Sequence, residues 1–243
     1  MFNYLHHIGI VVSDINAATN FYEKVIGLTK THREIVKDQA IEAILLNASN
    51  CEIELLAPID AVSGVAKYLE KFGNKFHHLC FAVDDVQEEL NRMSALSMEL
   101  IDFEPRKGLV GDVGFAHPKS TNGVLVEVAA PEQKSNVGNS VKFKEVLLAN
   151  NNNAIISNWN NFIANDLELL NPKIRFMNIN KNDDKISNVT LTMEFDSLEL
   201  LTEHLNTSKI NFVRGSEYYP NQSNAILIDS KNSFGLDIIC LEF

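Results

Sequence analysis

The sequence predicts an α+β protein whose first half is one β-α-β-β-β unit written twice. Three observations carry this. Short β-branched runs alternate with a helical stretch in the same order in both copies. The first strand of each copy opens on a histidine doublet, His6-His7-Ile8-Gly9-Ile10-Val11-Val12-Ser13-Asp14 against His77-His78-Leu79-Cys80-Phe81-Ala82-Val83-Asp84-Asp85. Hydrophobic residues make up 45% and charged residues 22%, enough apolar material for a folded core.

The elements follow in order. Leu5–Val12 reads as a strand, and Asp14 is placed to cap the helix after it. Residues Ala18, Phe21, Tyr22 and Val25 recur at helical spacing over Ile15–Ile26, and Gly27 stands where a helix-terminating glycine belongs. Strands are expected at Thr29–Val36, Ala40–Asn47 and Cys51–Ala57. The second copy begins with a strand at Phe76–Val83. Asp84-Asp85 caps a helix through Val86, Leu90 and Met93, and strands near Leu100–Glu104, Val113–His117 and Val124–Ala129 complete it.

After Pro131 the composition changes. Glu132–Ser140 is polar, contains Gly138 and reads as a linker, so domains are expected at residues 1–131 and 141–243. The second region repeats the rhythm in degenerate form. Strands are expected at Val141–Ala149, Lys173–Ile179, Val189–Phe195, Ile210–Arg214, Ala225–Asp229 and Gly235–Leu241, with helices at Ala154–Asp166 and Leu198–Leu205.

The net charge of −11 argues against nucleic acid or an anionic membrane as partner, and no apolar run approaches membrane-spanning length. Cys51, Cys80 and Cys240 have neither metal-site nor disulfide spacing; they read as buried free thiols, which fits a reducing cytoplasm.

Four side chains call for explanation. Glu54 and Glu127 interrupt strongly apolar strands, where an unpaired carboxylate would be costly to bury. His7 and His78 open the first strand of each copy, and the interval from His7 to Glu54 nearly equals that from His78 to Glu127. One histidine and one glutamate per copy is what a pseudo-twofold metal site needs. Two imidazoles and two carboxylates suit one divalent first-row ion (Co, Mn, Ni or Zn) with positions left for substrate.

These residues, with Glu52-Ile53-Glu54-Leu55-Leu56-Ala57-Pro58, Glu104-Pro105-Arg106-Lys107-Gly108 and His117-Pro118-Lys119-Ser120-Thr121-Asn122-Gly123-Val124-Leu125-Val126-Glu127, resemble the methylmalonyl-CoA epimerases of the vicinal-oxygen-chelate (glyoxalase) superfamily, from Leu5 to Ala129. The resemblance implies a cupped eight-stranded sheet of paired βαβββ modules with the metal inside, held by His7, Glu54, His78 and Glu127. It implies an acyl-CoA substrate and an isomerase reaction, and leaves a homodimer open as the assembly.

Epimerisation beside a thioester passes through an enolate, whose charge a divalent ion chelated by two substrate oxygens would stabilise. Inversion needs a proton removed from one face and returned to the other, hence two acid–base groups. Glu127 is one candidate. In bacterial epimerases the other lies where this chain has Ala43, and the neighbouring carboxylate here is Glu42, on the opposite face of a regular strand; a bulge would be needed to re-aim it. Arg106, Lys107 and Lys119, in loop and hairpin, are candidates for substrate phosphate or carboxylate.

The second region carries no comparable set. Thr190 matches His78, Ile239 matches Glu127, and Glu145 falls near the counterpart of His7, so a region without metal is expected. Competing readings are a glyoxalase-like isomerase or lyase on another chelating substrate, and a ligand-binding protein that uses the cleft.

Overall fold

The computed structural model describes residues 2–121, 123–131, 138–149, 159, 161–163, 170–177, 189–215, 219 and 224–243. Strand β1 (Tyr4–Val11) leads into helix α1 (Ile15–Asn20), whose first turn is capped by the Asp14 carboxylate accepting from the Ala17 amide. The helical path continues over Phe21–Ile26 with the wider winding of a π-helix and stops at Gly27, whose φ of 92° suits a residue without Cβ. Then come β2 (Thr29–Val36), β3 (Ile41–Asn47) and β4 (Glu52–Pro58). Helix α2 (Gly64–Phe72) follows, and the second copy runs β5 (Lys75–Ala82), α3 (Val86–Ala95), β6 (Arg106–Gly108), β7 (Gly111–Ala116) and β8 (Leu125–Ala130).

These eight strands form one sheet in the order β2-β3-β4-β1-β5-β8-β7-β6. Each copy is a four-stranded half, and the halves join where β1 and β5 run antiparallel; β1–β4 and β5–β8 are parallel. The result is a curled α+β half-barrel with a pseudo-twofold axis between β1 and β5. Strand β2 is an edge and carries Lys30, His32, Arg33 and Glu34 in the open, which discourages further strand pairing.

Two sequence expectations need correction. Leu100–Glu104 is not a strand: Leu100 makes a single bridge to Ala116, and the second strand of this copy is β6, which begins only at Arg106. Arg106 and Lys107 therefore lie on a short edge strand paired with β7, not in an open loop. Helix α2 was not expected. It is short and none of its residues is fully buried, so the only sequence cue was Ser63, whose hydroxyl caps the Ala66 amide.

The second region contributes β9 (Lys142–Ala149), β10 (Lys173–Met177), β11 (Val189–Phe195), α4 (Leu198–Thr207), β12 (Val213–Arg214), β13 (Ile226–Ile228) and β14 (Asp237–Glu242). They make a six-stranded sheet, β10-β9-β11-β14-β13-β12, with the same antiparallel junction, now β9–β11. Most of the expected linker and most of the Ala154–Asp166 helix fall outside the described residues.

Side-chain alternation divides each sheet into two faces. The convex faces share one apolar core: Ile8, Leu55, Leu79 and Val128 from the first sheet join Phe143, Val146, Leu191 and Ile238 from the second. Polar contacts tie the halves as well, such as the Tyr22 hydroxyl donating to the Ser233 carbonyl and Asn50 bridging to the Phe143 backbone. The concave faces carry separate, smaller clusters. The buried His7, Glu54, His78 and Glu127 lie on the concave face of the first sheet, and that is where the chemistry lies.

Candidate metal centre

The concave face of the first sheet brings His7, Glu54, His78 and Glu127 together. All four are buried, and one ligand atom from each lies within 4.8 Å of every other. The two imidazole Nε2 atoms are 2.9 Å apart, Glu54 Oε2 is 3.4 Å from His7 and 3.3 Å from His78, and Glu127 Oε2 is 3.5 Å from His7 and 3.0 Å from His78. Burial opposes charge on every one of them. Their mutual hydrogen bonds win: His78 is held above the ordinary imidazole value, and Glu127 is pulled down to about 2. Two imidazole nitrogens and two carboxylates facing one point are, once the imidazoles give up their protons, a donor set that fits a divalent first-row ion.

The strands that place these residues are irregular at two points. In a regular strand His6 would turn away from His7, and His77 from His78. The β1–β5 ladder shifts register between Leu5 and His7, and again where Gly9 pairs with His78 but Ile10 pairs with Phe76. His6 and His77 are the extra residues. As a result His6 Nδ1 sits 2.9 Å from His7 Nδ1, and His77 Nδ1 sits 3.0 Å from His78 Nδ1. Each candidate ligand has its second ring nitrogen engaged by its neighbour, which leaves Nε2 for an ion and fixes the ring. Behind His6 stands buried Glu52, 3.8 Å away, its carboxylate accepting from Thr31 and Asn47. The doublet His-His, present in both copies, was the sequence signal for these partners.

His6→Ala is expected to weaken metal affinity by roughly 10–100-fold while His7 stays in place. Competition against a chromogenic chelator measures this; unchanged affinity would show that the His6–His7 contact does not matter to the ion.

The remaining sequence candidates are placed differently. Ala43 faces into the cup with Val11, Ile41 and Leu56. Glu42 faces away from it, bound to Arg33 at 2.7 Å, and the β3–β4 register is unbroken from Ile41 to Asn47. The bulge that would re-aim Glu42 is absent, so Glu42 does not join the site. Arg106 bonds Asp102 and lies 4.9 Å from the Phe115 ring centroid, and Phe115 in turn packs edge-on to His78. Lys107 and Lys119 are exposed and paired with Asp112 and Glu99, on the rim.

Known proteins match this part of the chain. The family model described as Glyoxalase/Bleomycin resistance protein/Dioxygenase superfamily matches residues 6–117. The uncharacterized protein YqjC of Bacillus subtilis is 40% identical over 131 residues, covering 54% of this chain and 94% of that protein. An ethylmalonyl-CoA/methylmalonyl-CoA epimerase of Cereibacter sphaeroides is 33% identical over 131 residues, covering 53% of this chain and 98% of the relative. Among solved structures, a Streptomyces coelicolor methylmalonyl-CoA epimerase in complex with 2-nitronate-propionyl-CoA superposes with a TM-score of 0.53 at 28% identity, over 55% of this chain and 100% of that one. By its duplicated half-barrel, its paired histidines and glutamates and these relatives, the chain belongs to the glyoxalase/bleomycin resistance protein/dioxygenase superfamily.

Proposed function

We propose that the chain is a metal-dependent isomerase that epimerises a CoA thioester carrying a second carboxylate, with methylmalonyl-CoA the first candidate. The observation that carries this is the convergence of His7, Glu54, His78 and Glu127 in a buried cup, in a chain whose relatives include methylmalonyl-CoA epimerases. The division of labour is part of the proposal: residues 1–131 hold the ion, and residues 141–243 contribute no ligand.

When bound, the divalent ion supplies open coordination positions and the positive charge that favours an enolate. The protein's own residues do the rest. Glu127, kept ionised by its two histidines, accepts the α-proton on its side of the substrate. Phe115 and Val113 wall the cup beside it, and Arg106, stacked over Phe115, is placed for a substrate carboxylate or phosphate. The opposite wall is apolar, formed by Ala43, Val11 and Leu56. That wall favours one-sided proton transfer, and it is the observation behind a second reading, a glyoxalase-like isomerase that needs a single base.

Methylmalonyl-CoA in D₂O separates the two. With Glu127 as the only well-placed base, C2 proton exchange is expected to outrun inversion. Ala43→Glu, which puts a carboxylate on the apolar wall, is expected to raise inversion relative to exchange by roughly 10²-fold. Inversion in the wild type as fast as exchange would mean a second group acts there. Neither process with this substrate would move the proposal to another acyl group.

A further inference from the structure

The second sheet repeats the register of the first with different residues. Lys173 stands opposite Glu145 as Glu52 stands opposite His7, and Arg175, two residues on, takes the place of Glu54. Thr192 opposes Glu145 as Cys80 opposes His7, and Ile239 opposes Thr192 as Glu127 opposes Cys80. Thr190 then falls on the His78 position. The extra residue at the junction recurs too, with Lys144 in the place of His6. The set His7, Glu54, His78, Glu127 has become Glu145, Arg175, Thr190, Ile239.

This substitution inverts the charge of the cup. Where the first sheet gathers carboxylates around a point fit for a cation, the second supplies cations of its own. Arg175 Nη1 pairs with buried Glu145 at 2.9 Å, and Lys144 pairs with Glu194 at 2.9 Å. Both carboxylates are thereby neutralised. Lys142 and Lys173 open onto the same cleft, and no ion pair is formed by either among the described residues. The cleft is about 880 Å³; Phe176 and the ring of Tyr219 line it, with the Tyr219 hydroxyl against Glu145. Deeper on the same strand face, the Thr190 and Thr192 hydroxyls are fully buried without a hydrogen-bond partner among the described residues, although burying a polar group unpaired is costly.

A purely structural role accounts for part of this. An arginine–glutamate pair can replace a metal as the neutraliser of a buried acid. It does not account for two further lysines converging on the cleft, in a chain whose net charge is −11. Nor does it use the whole of Arg175: Nη1 bonds Glu145 and the Tyr219 hydroxyl lies against the guanidinium, but a guanidinium has five N–H donors.

We propose that the second cup binds a small oxyanion, a carboxylate or phosphate group on a short apolar body, held by Arg175, Lys173 and Lys142. This goes beyond the epimerase reading and does not depend on it. An ion in the first cup would leave the second free to sense a product, a substrate or a regulatory metabolite of that chemistry.

The test is calorimetric titration of the metal-loaded full chain at low ionic strength with inorganic phosphate and, separately, butyrate. Three proteins are compared: wild type, Lys142→Ala/Lys173→Ala, and Lys24→Ala/Lys231→Ala, which removes the same charge elsewhere on the surface. The first double substitution keeps the Glu145–Arg175 pair, and circular dichroism checks that the fold is retained. Wild type and the surface control are expected to bind at least one of the probes with equal affinity, and Lys142→Ala/Lys173→Ala about ten-fold or more weakly. Phosphate binding alone assigns a phosphate head group; butyrate binding as well assigns a carboxylate with an apolar body. The proposal is overturned if neither probe binds at millimolar concentration. It is overturned equally if all three proteins bind alike, which would place the anion on the metal, or if the surface control loses as much as the cleft variant.

Discussion

Replacing His78 with alanine is expected to abolish metal binding and to lower turnover by roughly 10³-fold or more. The ion's stabilisation of developing negative charge is worth several kcal/mol, and each 1.4 kcal/mol or so is tenfold in rate. His78 contacts both glutamates, at 3.3 and 3.0 Å, so its loss removes one ligand and leaves Glu54 and Glu127 facing each other with only His7 between them. The convex core that holds the sheet does not include His78, so the fold is expected to persist. Metal content and circular dichroism on the same sample separate the two effects. A metal-replete His78→Ala protein would show that the four residues are a hydrogen-bonded cluster and not a metal site.

The same geometry fixes the pH response. Without the ion, the glutamates raise the pKa of His78 above its ordinary value, so a metal must displace that proton. Affinity is expected to fall as pH drops below neutral, because protonated imidazole is no ligand.

The second large effect concerns a glycine that supplies no ligand atom but lies against the His78 ring. A Cβ on Gly9 would lie 2.2 Å from His78 Cε1 and 2.3 Å from its Nδ1. The His78 ring lies across the β1 backbone at this point, and only glycine leaves room for it. In Gly9→Ala the ring or the strand must move by more than an ångström. The contact between His77 Nδ1 and His78 Nδ1 that orients the ring would be lost with it. Metal affinity is expected to fall at least 10²-fold, roughly the loss of a positioned ligand, and stability by about 1–3 kcal/mol, as overpacking commonly costs. Wild-type metal affinity and melting temperature in Gly9→Ala would mean that His78 adopts another rotamer in the working protein.

Much of the centre was legible because the chain carries it twice. One histidine and one glutamate at nearly equal intervals, each on an apolar strand, pointed to a shared site without any knowledge of the sheet. The partners His6 and His77 were hidden by the alternation rule itself. Neighbours on a strand point to opposite faces, and only the bulges in the β1–β5 ladder turn both histidines of each doublet inward. Register likewise decided Glu42. Its strand is regular against β4, so it stays on the side of Arg33. Arg175 was invisible as a counterpart of Glu54 until the β9–β10 pairing aligned them, since the intervening chain differs in length.

Misread elements share a cause. Leu100, Ile101 and Phe103 gave the segment an apolar, strand-like look, yet Ile101 and Phe103 are exposed and the ladder forms instead at Arg106–Gly108, where charge made a strand hard to see. Short edge elements are set by pairing to β7, which the local sequence does not display.

The central claim is that one ion is held by four side chains from the duplicated half and by none from the second region. Anomalous diffraction from crystals of the metal-loaded full chain tests it most directly. About one strong peak per chain is expected, roughly 2.0–2.3 Å from His7 Nε2, His78 Nε2 and one oxygen each of Glu54 and Glu127. A peak elsewhere, or any ligand from beyond Ser140, would contradict it.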